Sequence, residues 1–136
     1  MKKAFLDTNI VLDLLAERHP FYADAAQLFA KTERGEVQLF VSALTFANVN
    51  YILLKHCKPN EAKQILRKLK LLVSVLSLDD RIIDLSLNDV AFTDYEDALQ
   101  YFAALENNMD VIVTRNLKDF RSSSIPVMVA GQFLSA

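Results

Sequence analysis

Three carboxylates stand where they could work together. Asp97 lies in the stretch Asp94 to Phe120, DYEDALQYFAALENNMDVIVTRNLKDF. There an acidic start leads into an amphipathic helix, then a short apolar strand from Asp110 to Thr114, then a polar loop. Ala98, Phe102 and Leu105, with Leu99 and Tyr101, keep a helical period. Asp94 suits the N-cap, and Asp97 projects from the first turn three residues on. Asp119 falls past the carboxyl end of the strand. Asp7 repeats that placement, because Ala4-Phe5-Leu6 reads as a buried strand running into Asp7-Thr8-Asn9 and a helix from Ile10. Open parallel sheets bind ligands at the carboxyl ends of their strands. Acids gathered beside a core repel one another unless a cation joins them. An oxygen-only ligand set suits Mg²⁺ or Mn²⁺.

The elements that must position these residues alternate. Helices are predicted over about Phe21 to Glu33, Leu44 to Lys55 (capped by Ser42), a span opening at Pro59-Asn60, and Asp79-Asp80 to Asn88. Strands are predicted over Val37 to Val41, Leu71 to Leu76 and Ile125 to Val129, with a final helical turn after Ala130. Strand and helix in alternation imply a parallel sheet covered on both faces, an α/β/α sandwich with five strands. Residues 1–136 are expected to form one domain. Asp13, inside the first helix, is expected at the surface, and Glu96 is expected to point away from Asp97 into solvent.

Composition narrows the classes. The chain is 52% hydrophobic with two glycines, which excludes a disordered tract and a phosphate-cradling glycine loop. Cys57 is alone, and the apolar run after Lys3 is cut by Asp7, Asn9 and Asp13. Neither a signal peptide nor a membrane span is expected, and the cytoplasm is the expected location. His19 and His56 are too few for a histidine metal site, and Ser122 to Ser124 have no associated base. The net charge of −2 hides an uneven distribution. Six Lys or Arg against one Glu lie between Lys55 and Lys70, and seven acids against one Arg between Asp79 and Asp97. Two solvated helix faces would explain this. So would a basic rim, Lys63 and Arg67 foremost, that neutralises phosphates beside an acidic pocket.

LDTN at 6–9, VSALTFANV at 41–49, DYEDALQYFAAL at 94–105 and VTRNLKDF at 113–120 resemble the PIN domain, the fold of VapC-like toxin ribonucleases. The resemblance covers nearly the whole chain in the family's order. It implies a metal-dependent endoribonuclease in which Asp7, Asp97 and Asp119 are catalytic. With Asp94 they would hold one or two Mg²⁺ or Mn²⁺ ions, which activate a water for attack on an RNA phosphodiester. It also implies a cognate antitoxin and a homodimer. Asn9, Thr114 and Asn116 would support the ligands, and Arg115 would face phosphate or pair with a nearby carboxylate.

Asn48 departs from the pattern, since most PIN domains carry a Glu on that helix. An amide keeps an oxygen acceptor but no charge, so Asn48 or Asp94 could complete the site. A PIN fold without turnover, binding RNA or a partner protein, is therefore an alternative. A phosphohydrolase is disfavoured because Asn9 stands where a second acid would be needed.

Overall fold

The computed structural model describes residues 1–136. Strand β1 spans Lys2–Leu6 and leads into α1, Thr8–Leu15; α2 is Tyr22–Glu33. Strand β2, Val37–Ser42, is followed by α3, Ala43–Leu53, and α4, Pro59–Leu72. Strand β3, Ser74–Leu76, precedes α5, Asp80–Asn88, and α6, Tyr95–Glu106. Strand β4, Val111–Val113, a 3₁₀ turn at Leu117–Phe120, β5 at Val127–Met128 and α7 at Ala130–Ser135 complete the chain. The five strands form the expected parallel sheet in the order β3-β2-β1-β4-β5.

Alternation along the strands builds two cores. Ala4, Leu6, Val111 and Val113 face one way, packing with Ile10 and Val11 of α1, Leu28 of α2, Val49 of α3, Leu69 of α4 and Phe133 of α7. Phe5 and Ile112 face the other way, against Ile82 of α5, Ala98 and Ala103 of α6, and Phe120. Side chains of period 2 between two helical layers produce this division. The strand order reverses at β1, whose neighbours are β2 on one side and β4 on the other. Asp7 follows β1 at that switch point, the place where open α/β sheets bind their ligands.

The strands predicted over Leu71 to Leu76, Asp110 to Thr114 and Ile125 to Val129 are shorter than expected, and the first gives way to a helix at its start. Leu71 and Leu72 belong to the last turn of α4, and Val73 N–H donates to Leu69 O at 3.2 Å. The run KLKLLVSVLSL is apolar enough for either helix or strand. The amphipathic period inherited from Ala62 and Leu69 carries the helix through Leu72 and leaves Leu71 86% exposed. Leu71→Lys is therefore expected to change stability by less than ~0.5 kcal/mol, whereas Leu69→Ala costs about 2–5 kcal/mol. Urea denaturation of the two variants checks the register of this helix, and a large loss from Leu71→Lys would put Leu71 in the core.

Candidate active site

Asp7 sits between two strand ends. Its backbone N–H donates to Val113 O at 3.0 Å, so β1 and β4 stay paired up to the crevice. Its side chain is 8% exposed. One carboxylate oxygen accepts from Thr8 N–H at 2.8 Å, capping α1, and the other accepts from the Thr114 hydroxyl at 2.9 Å. Burial raises the Asp7 pKa; the Thr114 and Thr8 hydrogen bonds oppose this, Asp119 adds to it and Arg115 offsets it. Thr114 Oγ1 also accepts from Asn116 N–H at 3.0 Å, which ties the loop after β4 to the same carboxylate.

Asp94 caps α6. One oxygen accepts from Glu96 N–H at 2.8 Å and Asp97 N–H at 3.1 Å, which turns Asp97 inward from the first turn. Burial pushes the Asp97 carboxyl up to about 7, reinforced by Asp94, Asp7, Asp119 and Glu96 in decreasing order. Asp119, exposed in the 3₁₀ turn, acts on both Asp7 and Asp97. Carboxylates from β1, α6 and the loop after β4 are thus close enough to oppose one another's ionisation. No three of them converge as a ready-made cage for an ion; they form an open rim. The donor chemistry, oxygen-only and mutually repelling, fits a hard divalent cation.

Several placements differ from the sequence reading. Asp13 is not on the surface. It is 1% exposed, and its Oδ2 lies 3.0 Å from Arg115 Nε. The Arg115 guanidinium also stacks over the Phe21 ring at 4.0 Å. A carboxylate inside an apolar helix needs such a partner, and the pair holds Arg115 where its charge reaches Asp7. A cavity of about 260 Å³ lined by Asp13, Phe21, Asp24 and Arg115 opens beside this pair.

Glu96 is exposed as expected, and from that exposed position its Oε1 accepts from Asn48 Nδ2 at 3.1 Å. Asn9 Oδ1 accepts from Arg18 at 3.2 Å, so Asn9 braces the end of α1 rather than Asp7. Lys63 and Arg67 are exposed on α4, which packs against α3 and α2. Lys118 and Arg121, unremarked in the sequence reading, share a shallow groove of about 160 Å³ with Thr93 and Asp119. Their signal was the bracketing of Asp119 by basic residues in LKDFR.

A parallel sheet reversing at β1, with acids grouped at the reversal, defines an α/β class that binds its ligand at the switch point of the sheet. The PIN domain family model matches residues 3–118, and the chain belongs to that family as a VapC-like member. It is 28% identical over 139 residues to Ribonuclease VapC1 of Aquifex aeolicus (strain VF5), covering 97% of this chain and 93% of that one. A toxin-antitoxin complex from Klebsiella pneumoniae contains a chain 25% identical, with a TM-score of 0.70 and coverage of 93% and 97%. VapBC-1 from nontypeable Haemophilus influenzae shares the fold at a TM-score of 0.70 and 19% identity, covering 95% of this chain and 98% of that one.

The raised Asp97 pKa has a signed consequence for stability. Between the ordinary value of 3.8 and about 7, the folded protein holds a proton that the unfolded chain releases. Metal-free stability should therefore fall as pH rises through that window. Asp97→Asn should flatten the upper part of the fall, leaving the contributions of Asp7 and Asp13, whose carboxyls burial also raises. Thermal melts at pH 5 and 7.5 in chelator check this, and equal slopes for wild type and variant would contradict it.

Proposed function

We propose that this chain is a metal-dependent endoribonuclease that hydrolyses RNA phosphodiesters. We also propose that it is the toxin of a toxin–antitoxin pair and works as a homodimer. The observation that carries the proposal is the crowding of Asp97 by Asp7, Asp94, Asp119 and Glu96 at the switch point of the sheet. Family membership and the ribonuclease name of the Aquifex relative support the reaction class. The Klebsiella toxin-antitoxin complex supports an antitoxin partner.

Asp7, Asp94, Asp97 and Asp119 would hold Mg²⁺ or Mn²⁺, with Asn48 at the edge. The ion would supply Lewis acidity toward phosphate and lower the pKa of water. The chain's own residues supply the rest. The Thr114 hydroxyl and Thr8 N–H fix both oxygens of Asp7. The Asp94 cap fixes the first turn that carries Asp97. The Asp97 carboxyl, pushed up to about 7 without an ion, would be drawn into its ionised form by a cation held there. Lys118 and Arg121 flank Asp119 and would receive the phosphate backbone, with Lys63 and Arg67 extending the positive path. Arg115, engaged by Asp13 and Phe21, would act by holding charge beside Asp7.

A second reading rests on Asn48, which places an amide on the rim, and on the open arrangement of the acids. On that reading the fold binds RNA or a protein without turnover.

Cleavage of RNA by purified protein, with Mn²⁺ and with chelator, separates the two readings. Cleavage should require Mn²⁺ and fall ~100-fold or more in Asp97→Asn, a loss of the size expected for an essential electrostatic group. Binding without Mn²⁺-dependent cleavage would favour the second reading. In the same assay, Lys63→Glu with Arg67→Glu should weaken RNA binding and flatten its salt slope by about 0.7 per lost phosphate contact. An unchanged slope would remove α4 from the RNA path.

A further inference from the structure

Directly beneath the acidic rim, four polar side chains form a hydrogen-bonded cluster. Gln100 is 3% exposed, Ser42 and Thr45 are fully buried, and Thr8 is partly buried. The Ser42 hydroxyl donates to Gln100 Oε1. Gln100 Nε2 donates to Thr8 Oγ1 at 3.2 Å and to Thr45 Oγ1 at 3.3 Å, and the two threonine hydroxyls share a hydrogen bond of 2.9 Å. Ser42 occupies the N-cap position of α3, yet its side chain makes no capping bond. The expected cap is given up for the bond to Gln100.

The positions of the four residues are informative. Thr8 follows Asp7 directly. Thr45 stands three residues before Asn48 on α3, and Gln100 three residues after Asp97 on α6. Residues three apart share a helix face, so each helix presents one cluster member and, a turn away, one rim residue. The cluster also crosses the carboxyl edge of the sheet. Thr8 and Thr45 belong to helices of one layer, and Gln100 belongs to a helix of the other.

Burying an amide and three hydroxyls is costly unless each is bonded. Apolar side chains of similar volume would fill the same space without that cost. A satisfied buried network gives fixed geometry between the segments it joins. Here those segments are the ones that deliver Asp7, Asn48 and Asp97.

We propose that Gln100, bridging Ser42, Thr8 and Thr45, is a positioning residue that sets the spacing of Asp7, Asn48 and Asp97 at the acidic rim. This rests on the reading of that rim as a divalent-cation site. Gln100 acts through the segments it ties and touches no substrate. Loss of one hydroxyl should loosen the rim while the two cores remain packed.

The test compares Thr45→Val, which keeps the shape and deletes the hydroxyl, with Thr45→Ser, which keeps the hydroxyl. Thr8→Val serves as an independent second deletion. Mn²⁺ affinity is measured by calorimetry, and the melting temperature of each metal-free protein is recorded alongside. Both valine variants should bind Mn²⁺ about tenfold more weakly, as when groups that orient metal ligands are removed. Thr45→Ser should bind like wild type. Melting temperatures of the valine variants should fall by a few degrees, from the Gln100 amide proton left unpaired, while the loss of affinity persists well below both melts, so that affinity and stability separate. Valine variants that bind Mn²⁺ as tightly as wild type would overturn the positioning role and leave the metal site standing. So would a serine variant that loses as much affinity as valine, or affinity losses that merely track melting temperature. Wild-type protein that binds no Mn²⁺ would overturn both.

Discussion

The structure depends on holding carboxylates together that repel one another. Asp7, Asp94, Asp97, Asp119 and Glu96 arrive from three separate parts of the chain, and burial deepens the penalty for ionising Asp97. Each is brought to the rim by interactions that do not involve the others' charge. Asp7 is clamped by Thr114 and Thr8, and one oxygen of Asp94 caps α6. Such a rim is unfavourable alone and favourable around a divalent ion, because the charge that destabilises the free protein is the charge that binds the ion.

Two buried polar arrangements brace the rim from different sides. The Asp13–Arg115 pair, stacked on Phe21, brings positive charge toward Asp7 from the α1–α2 layer. The Gln100 cluster joins both layers beneath the sheet edge. Neither adds much to stability beyond what apolar packing would give. Their value lies in geometry, since breaking either leaves an unmatched polar group inside.

Much of this was legible in the sequence because it is encoded locally. An apolar run ending in an acid gave β1 and Asp7, and a capping residue before an amphipathic stretch gave Asp94 and α6. The misplacements arose where long-range contacts decide. Asp13 reads as a surface acid until Arg115, from the far end of the chain, closes on it. The apolar neighbours of Asp13 in IVLDLL at 10–15 were the available clue, since a helix apolar all round is a buried one. Ser42 follows the local rule for a cap in position but not in bonding, because Gln100 competes for its hydroxyl. Glu96 is exposed as expected, but its bond to Asn48 is a contact between α6 and α3 that helical periodicity alone does not reveal.

The central claim is that the Asp97 carboxyl is held neutral by its neighbours until a cation relieves it. Its side-chain ¹³C resonance, followed through a pH titration with and without Mg²⁺, tests this directly. The account predicts a midpoint near 7 in the metal-free protein and a clear downward shift when Mg²⁺ is present. A metal-free midpoint in the ordinary carboxylate range, unmoved by Mg²⁺, would contradict it.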